Sequence, residues 1–115
     1  MTEFVPVSLR FWATANGNEP VRDFLGGLST ADKKKIGQDI RTVQFGWPLG
    51  MPLVRPMGKG LHEMRSSLPS RREARVMFAV AGGELHLLHA FIKKSAKTGR
   101  DDLELVTKRM KELKS

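Results

Sequence analysis

From Gly60 onward the apolar residues recur with a period of two through three successive segments, and this alternation constrains the fold more than any other feature. Leu61, Glu63 and Arg65 point one way, while His62, Met64 and Ser66 point the other. "LPSRRE" then turns the chain back, and Val76, Phe78 and Val80 continue the pattern. Gly82-Gly83 makes a second tight turn, and Leu85 to Ile92 is apolar enough for a central strand. Three antiparallel strands in sequence are predicted.

The first half reads differently. "FVPVSLRFWA" (Phe4 to Ala13) is rich in β-branched and aromatic residues and reads as a first strand, with Pro6 suited to an edge. Asn18 is predicted to cap a short helix with Glu19 and Pro20 in its first turn; it buries Val21, Phe24 and Leu25 and ends at Gly26-Gly27. Ser29 and Asp32 resemble a capping box for a second helix, carried by Ile36, Ile40 and Val43 and closed by Gly46 and Trp47-Pro48. The Gly- and Pro-dense "GWPLGMPLVRPMGKG" is predicted to be an irregular connector. Leu103, Val106, Met110 and Leu113 form a stripe on a last helix. The expected fold class is α+β in the order β-α-α-β-β-β-α, with residues 1–115 as one domain around one core.

Composition narrows the partners. Twenty Lys and Arg against 12 Asp and Glu give a net charge of +8, which favours an anionic partner such as nucleic acid, an acidic protein or a membrane surface. There is no cysteine, which excludes disulfides and thiolate zinc sites. The N-terminus lacks a signal-peptide pattern, and no run approaches the roughly 18 apolar residues of a membrane span. A soluble, cytoplasmic protein is expected.

Between Gly58 and Val80 five arginines and lysines interrupt the paired strands. Arg65 shares a face with Glu63, and Arg75 is out of phase with Val76, Phe78 and Val80, so its guanidinium is expected to emerge on the face opposite that layer. On the next strand His89, Phe91 and Lys93 have one parity, and His86, Leu88, Ala90, Ile92 and Lys94 the other. If the first of these sets shares the face of Arg65 and Arg75, one surface holds two arginines, a lysine, a histidine and an aromatic ring. That set suits metal-free RNA cleavage: guanidinium groups stabilise charge building on phosphorus, and a Lys or His moves protons. Phe91 could stack a splayed base. No HExxH, His-x-x-His or carboxylate cluster points to a metal. Plainer readings stand beside these: arginines solvating an open face, lysines guarding a strand end, packed strand histidines, and Phe91 in the core. Lys33 to Lys35 read as the wet face of the second helix.

The segments "GLHEMR", "REARVMFAV" and "LHLLHAFIKKSAKT" followed by a charged helix resemble the RelE/ParE toxin superfamily, most closely its phage-derived HigB-like branch. The resemblance runs from Gly58 to Lys97. It implies a small curved, mostly antiparallel sheet with helices packed on one side and the other face against mRNA. The implied activity is that of a ribosome-dependent mRNA endoribonuclease, the toxin of a type II toxin-antitoxin pair, needing no cofactor. The implied partners are the ribosome, mRNA and a cognate antitoxin, acidic or helix-turn-helix and HigA-like, through which alone operator DNA would be met. Carried over by motif, Arg65, Arg75 and Lys93 form the phosphate-binding and catalytic set, with His89 a further catalytic candidate. Phe91 would position a base, Lys94 would be an accessory cation, and Lys59 and Arg72 further RNA contacts.

The chain departs from the family pattern at several points. It has no tyrosine, so His62 stands where the aromatic after Gly-Leu is usual, and the general acid and base stay open among Lys93, Lys94 and His89. Gly99 stands where many relatives have proline, with an effect expected only on the start of the last helix. The gyrase-poisoning mode of the same superfamily and a non-enzymatic nucleic-acid binder are the alternative functions.

Overall fold

The structure is a computed structural model that describes residues 6–94 and 98–113. Its elements are β1 (Ser8–Phe11), α1 (Pro20–Gly26), α2 (Thr30–Gly46), β2 (Val54–Gly58), β3 (Leu61–Ser67), β4 (Glu73–Ala81), β5 (Glu84–Ile92) and α3 (Arg100–Leu113). They form the expected α+β fold around a five-stranded sheet ordered β1-β5-β4-β3-β2. β1 runs parallel to β5 and the other neighbours are antiparallel. No helix among the described residues is long and apolar enough to cross a membrane.

The first strand is shorter than its composition suggested, and Phe4 and Val5 lie outside the described residues. Glu19, not Asn18, occupies the N-cap of α1, because Asn18 closes a turn with Thr14 through Asn18 N–H to Thr14 Oγ1 (3.1 Å). The irregular connector contains a strand, β2. As an edge strand with one neighbour it tolerates Pro56, which a central strand would not. Lys59 and Gly60 turn the chain from β2 to β3 with φ of 56° and 85°, the positive pair a two-residue hairpin requires.

Two apolar clusters sandwich the sheet. On one face Met64, Ala74, Val76, Phe78, Leu85 and Leu87 meet Val21 of α1 and Ile36, Ile40 and Val43 of α2. On the other, Leu61, Met77, Ala79 and Leu88 meet Val106 and Met110 of α3. The helices therefore do not all lie on one side: the second face carries its own apolar cluster, and the stripe of α3 packs on it. A β-bulge sets this arrangement. Met77 pairs with His89 but Phe78 pairs with Leu87, so Leu88 is an extra residue and turns to the α3 side. Strict alternation had put Leu88 with Ala90 and Ile92. The inserted residue breaks that phase, leaving His89 and Phe91 on the face of Arg65 and Arg75.

Ser29 caps α2, its Oγ accepting from Asp32 N–H at 3.2 Å. The Asp32 carboxylate does not complete the box. It crosses to the β3–β4 turn, accepting from Ser70 Oγ (2.7 Å), Ser70 N–H (3.2 Å) and Arg72 Nη2 (3.3 Å). The hydrogen bond from the Ser70 hydroxyl, with help from Arg72, holds the Asp32 carboxyl below its ordinary range. A folded pKa below the unfolded value of about 3.9 means stability that is present at neutral pH and lost as pH falls through the folded value. Asp32→Asn should therefore lower stability to chemical denaturant at pH 7, and the gap from wild type should narrow as pH falls through the carboxyl's lowered folded value. In the core, Ile36→Ala should cost about 2–5 kcal/mol in the same assay.

Candidate active site

β3, β4 and β5 carry the functional candidates in cross-strand rows on the α3 face. Arg75 of β4 sits between Arg65 of β3 and Phe91 of β5 in register. The row towards α3 holds Glu63, Met77 and His89, and Glu73 pairs with Ser67 on the other side. α3 covers the Leu61 end of this face, so the Arg75 row lies where the helix stops and a pocket of about 290 Å³ opens. Arg75, Phe91, Lys93, Lys94, Thr98 and Asp102 are among its lining residues.

The sequence reading placed Arg75 on the correct face but expected its guanidinium to be exposed. Instead Arg75 is 1% exposed, because two carboxylates share its face. Nη1 donates to Glu63 Oε1 and Nε donates to Glu73 Oε2, both at 2.7 Å. Glu63 is itself fully buried, and its second oxygen accepts from Thr98 Oγ1 at 2.6 Å. Nη2 of Arg75 lies 2.7 Å from Glu73 Oε2 but out of line with it, and has no hydrogen-bond partner. A buried donor without an aligned acceptor is rare.

Around this core the charges are mixed. Lys93 Nζ is 3.8 Å from Glu73 Oε2. Burial alone would raise the Glu73 carboxyl, but the hydrogen bond and charge of Arg75, with Lys93 and Arg65 nearby, reverse this and hold it low. Lys94 is exposed at the end of β5. Phe91 is half-buried and packs against the second cluster with its ring 5.3 Å from that of His89.

Four predicted residues do not line the pocket. Arg65, beside Arg75 in register, lines a separate one with Lys35, Asp39, Leu53 and Glu73. His89 Nε2 is 2.7 Å from Asp102 Oδ1, which ties the ring to α3. Arg72 is paired with Asp32 on the α2 side. Lys59 is at the β2–β3 turn, the opposite end of β3 from Arg65, beside a separate groove with Leu61, Leu103 and Met110. Glu63, Glu73, Thr98 and Asp102 went unrecognised in the sequence. For Glu63 and Glu73 the signal was present, since each has the parity of Arg65 or Arg75; for Thr98 and Asp102 there was none, because only the docking of α3 brings them here. Among the described residues no three His, Asp or Glu side chains converge as a metal-binding group.

A family model described as phage-derived protein Gp49-like (DUF891) matches residues 23–111, which takes in all of this constellation. The chain belongs to that family. The Gp49-like family is RelE- and toxin-like in general, so the fold and the toxin theme expected from Gly58 to Lys97 agree with the match. No curated protein matches this Gp49-like chain.

Removing Glu63 would leave a fully buried guanidinium with one carboxylate fewer. Glu63→Ala should therefore destabilise the protein by about 3–5 kcal/mol in denaturant unfolding. Arg72→Ala removes the exposed member of its ion pair and leaves Asp32 with both hydrogen bonds from Ser70, so it should cost about 1 kcal/mol or less.

Proposed function

We propose that this Gp49-like protein is a HigB-like toxin of a type II toxin-antitoxin pair, a ribosome-dependent endoribonuclease that cuts mRNA without a metal or cofactor. The observation that carries this reading is the unfilled, buried Nη2 donor of Arg75, in a residue that lines a pocket with Lys93 and Lys94. In the bound state a phosphate oxygen accepts from Nη2, and Lys93 and Arg65 add positive charge as negative charge develops on phosphorus. The 2′-oxygen attacks the adjacent phosphorus and the 5′-oxygen leaves, with Lys93 Nζ delivering a proton to it. Phe91, on the pocket wall, stacks a base next to the scissile phosphate.

Glu63 and Glu73 set the charge of the site. They hold the Arg75 guanidinium in one orientation and let three cations, Arg65, Arg75 and Lys93, share one small region without mutual repulsion dominating. The exposed cations Lys94 and Lys59 serve as outer contacts to the mRNA backbone. A helix-turn-helix antitoxin neutralises the basic surface, and the protein acts in the cytoplasm on translating ribosomes. Arg72 is spent on Asp32 and contributes least to RNA.

The test is primer extension on a defined mRNA in a purified translation system. Wild type should cut only when ribosomes are present, and Lys93→Ala and Arg65→Ala, shown to be folded, should each cut at least roughly a hundredfold more slowly. Undiminished cutting by both variants would remove the site. Intact mRNA accompanied by gyrase-dependent DNA breaks would replace the reading with the gyrase-poisoning one.

A further inference from the structure

The pocket needs a proton acceptor as well as cations. Of the side chains the sequence put forward, Lys93 and Lys94 line it but are cationic, and His89 stands behind it. Among the described residues that line it, Asp102 is the one carboxylate. Asp102 lies in the first turn of α3, where the helix dipole favours an anion, but its main contact is tertiary. Its Oδ1 meets His89 Nε2 at 2.7 Å, and its side chain keeps 32% exposure against 15% for the histidine.

The second oxygen has its own setting. A Cβ at Gly99 would stand 3.1 Å from Asp102 Oδ2, closer than side chains ordinarily approach. No left-handed φ requires glycine here, so what the absent side chain provides is space for that oxygen. Gly99 also lines the pocket. The carboxylate is thus fixed through Oδ1 by β5, while Oδ2 is left uncrowded beside the pocket.

We propose that Asp102 is the general base of this site, with Oδ2 taking the 2′-hydroxyl proton while His89 holds Oδ1 as a positioning residue. This rests on the ribonuclease reading above. The proton balance closes within the pocket. The 2′-O–H bond breaks and its proton goes to Asp102, the oxygen's electron pair forms the bond to phosphorus, and the bond from phosphorus to the 5′-oxygen breaks as that oxygen takes a proton from Lys93. The products are a 2′,3′-cyclic phosphate and a 5′-hydroxyl, and exchange with water returns Asp102 and Lys93 to their starting charges.

The experiment compares wild type, Asp102→Asn, Gly99→Ala and the double variant in single-turnover cleavage on ribosomes. Binding is measured in parallel with the same mRNA carrying a 2′-deoxy nucleotide at the cut site. Asp102→Asn keeps the shape and an acceptor for His89 but cannot take the proton. It should cut roughly 10²–10⁴-fold more slowly, with binding of the uncleavable mRNA within about twofold of wild type. Gly99→Ala should slow cleavage several-fold, roughly in line with a misplaced base, and add nothing on the Asp102→Asn background, because both act on one group. Cleavage by folded Asp102→Asn close to the wild-type rate would overturn the proposal. So would parallel loss of binding and cleavage, which would make Asp102 a base-recognition residue, or full additivity with Gly99→Ala. A wild type that fails to cut would instead overturn the ribonuclease reading itself, and the proposal with it.

Discussion

Everything at the candidate site depends on a guanidinium buried in the sheet. Arg75 is almost wholly removed from water, and a cation there is tolerable only with its charge matched and its donors used. Glu63 and Glu73 match the charge and accept from Nη1 and Nε, from the neighbouring strand and from two residues earlier on the same strand. Such a cluster contributes little net stability over an apolar substitute, since desolvation offsets most of the attraction. What it supplies is placement. One donor of Arg75 remains unfilled, beside a pocket edged by lysines, in a part of the face that the last helix does not cover.

The second constraint is the bulge in β5. By adding Leu88 to the strand it turns an apolar side chain towards α3 and leaves His89 and Phe91 on the site's face. The carbonyl of that extra residue accepts from Arg109 Nη1 of α3 at 2.6 Å, so the irregularity also fixes the helix. Arg109 in turn lies 4.3 Å from the centre of the Trp12 ring. The docked helix then brings Thr98 to Glu63 and Asp102 to His89. Site and helix position are therefore one problem, solved by packing rather than by any local motif.

This division explains what could be read in the sequence. The hairpins from Leu61 to Ile92 were legible because alternation and the Gly82-Gly83 turn are local signals, and α2 because Ser29, Ile36, Ile40 and Val43 carry a helical period. β2 was hidden by Pro56, which excludes a central strand but not an edge. The face of Arg75 followed from parity, whereas its burial did not, since burial depends on which carboxylates lie across the strand. The parity of Leu88 failed at an inserted residue that leaves no mark in composition. Gly99 was expected to affect only the start of α3, but it also gives Asp102 its room. Lys59 and Arg72 show the limit of reading a basic run as one surface: they fall at a far turn and on the opposite layer.

The most direct test of the account is the side-chain nitrogen resonances of Arg75, followed by NMR as a short mRNA fragment with a 2′-deoxy nucleotide at the cut site is added. The account predicts a saturable change at Arg75 Nη, lost in Lys93→Ala, as a phosphate oxygen takes up the unused donor. Saturable RNA binding that leaves the Arg75 signals unmoved would contradict it, and would make the buried cluster a structural element alone.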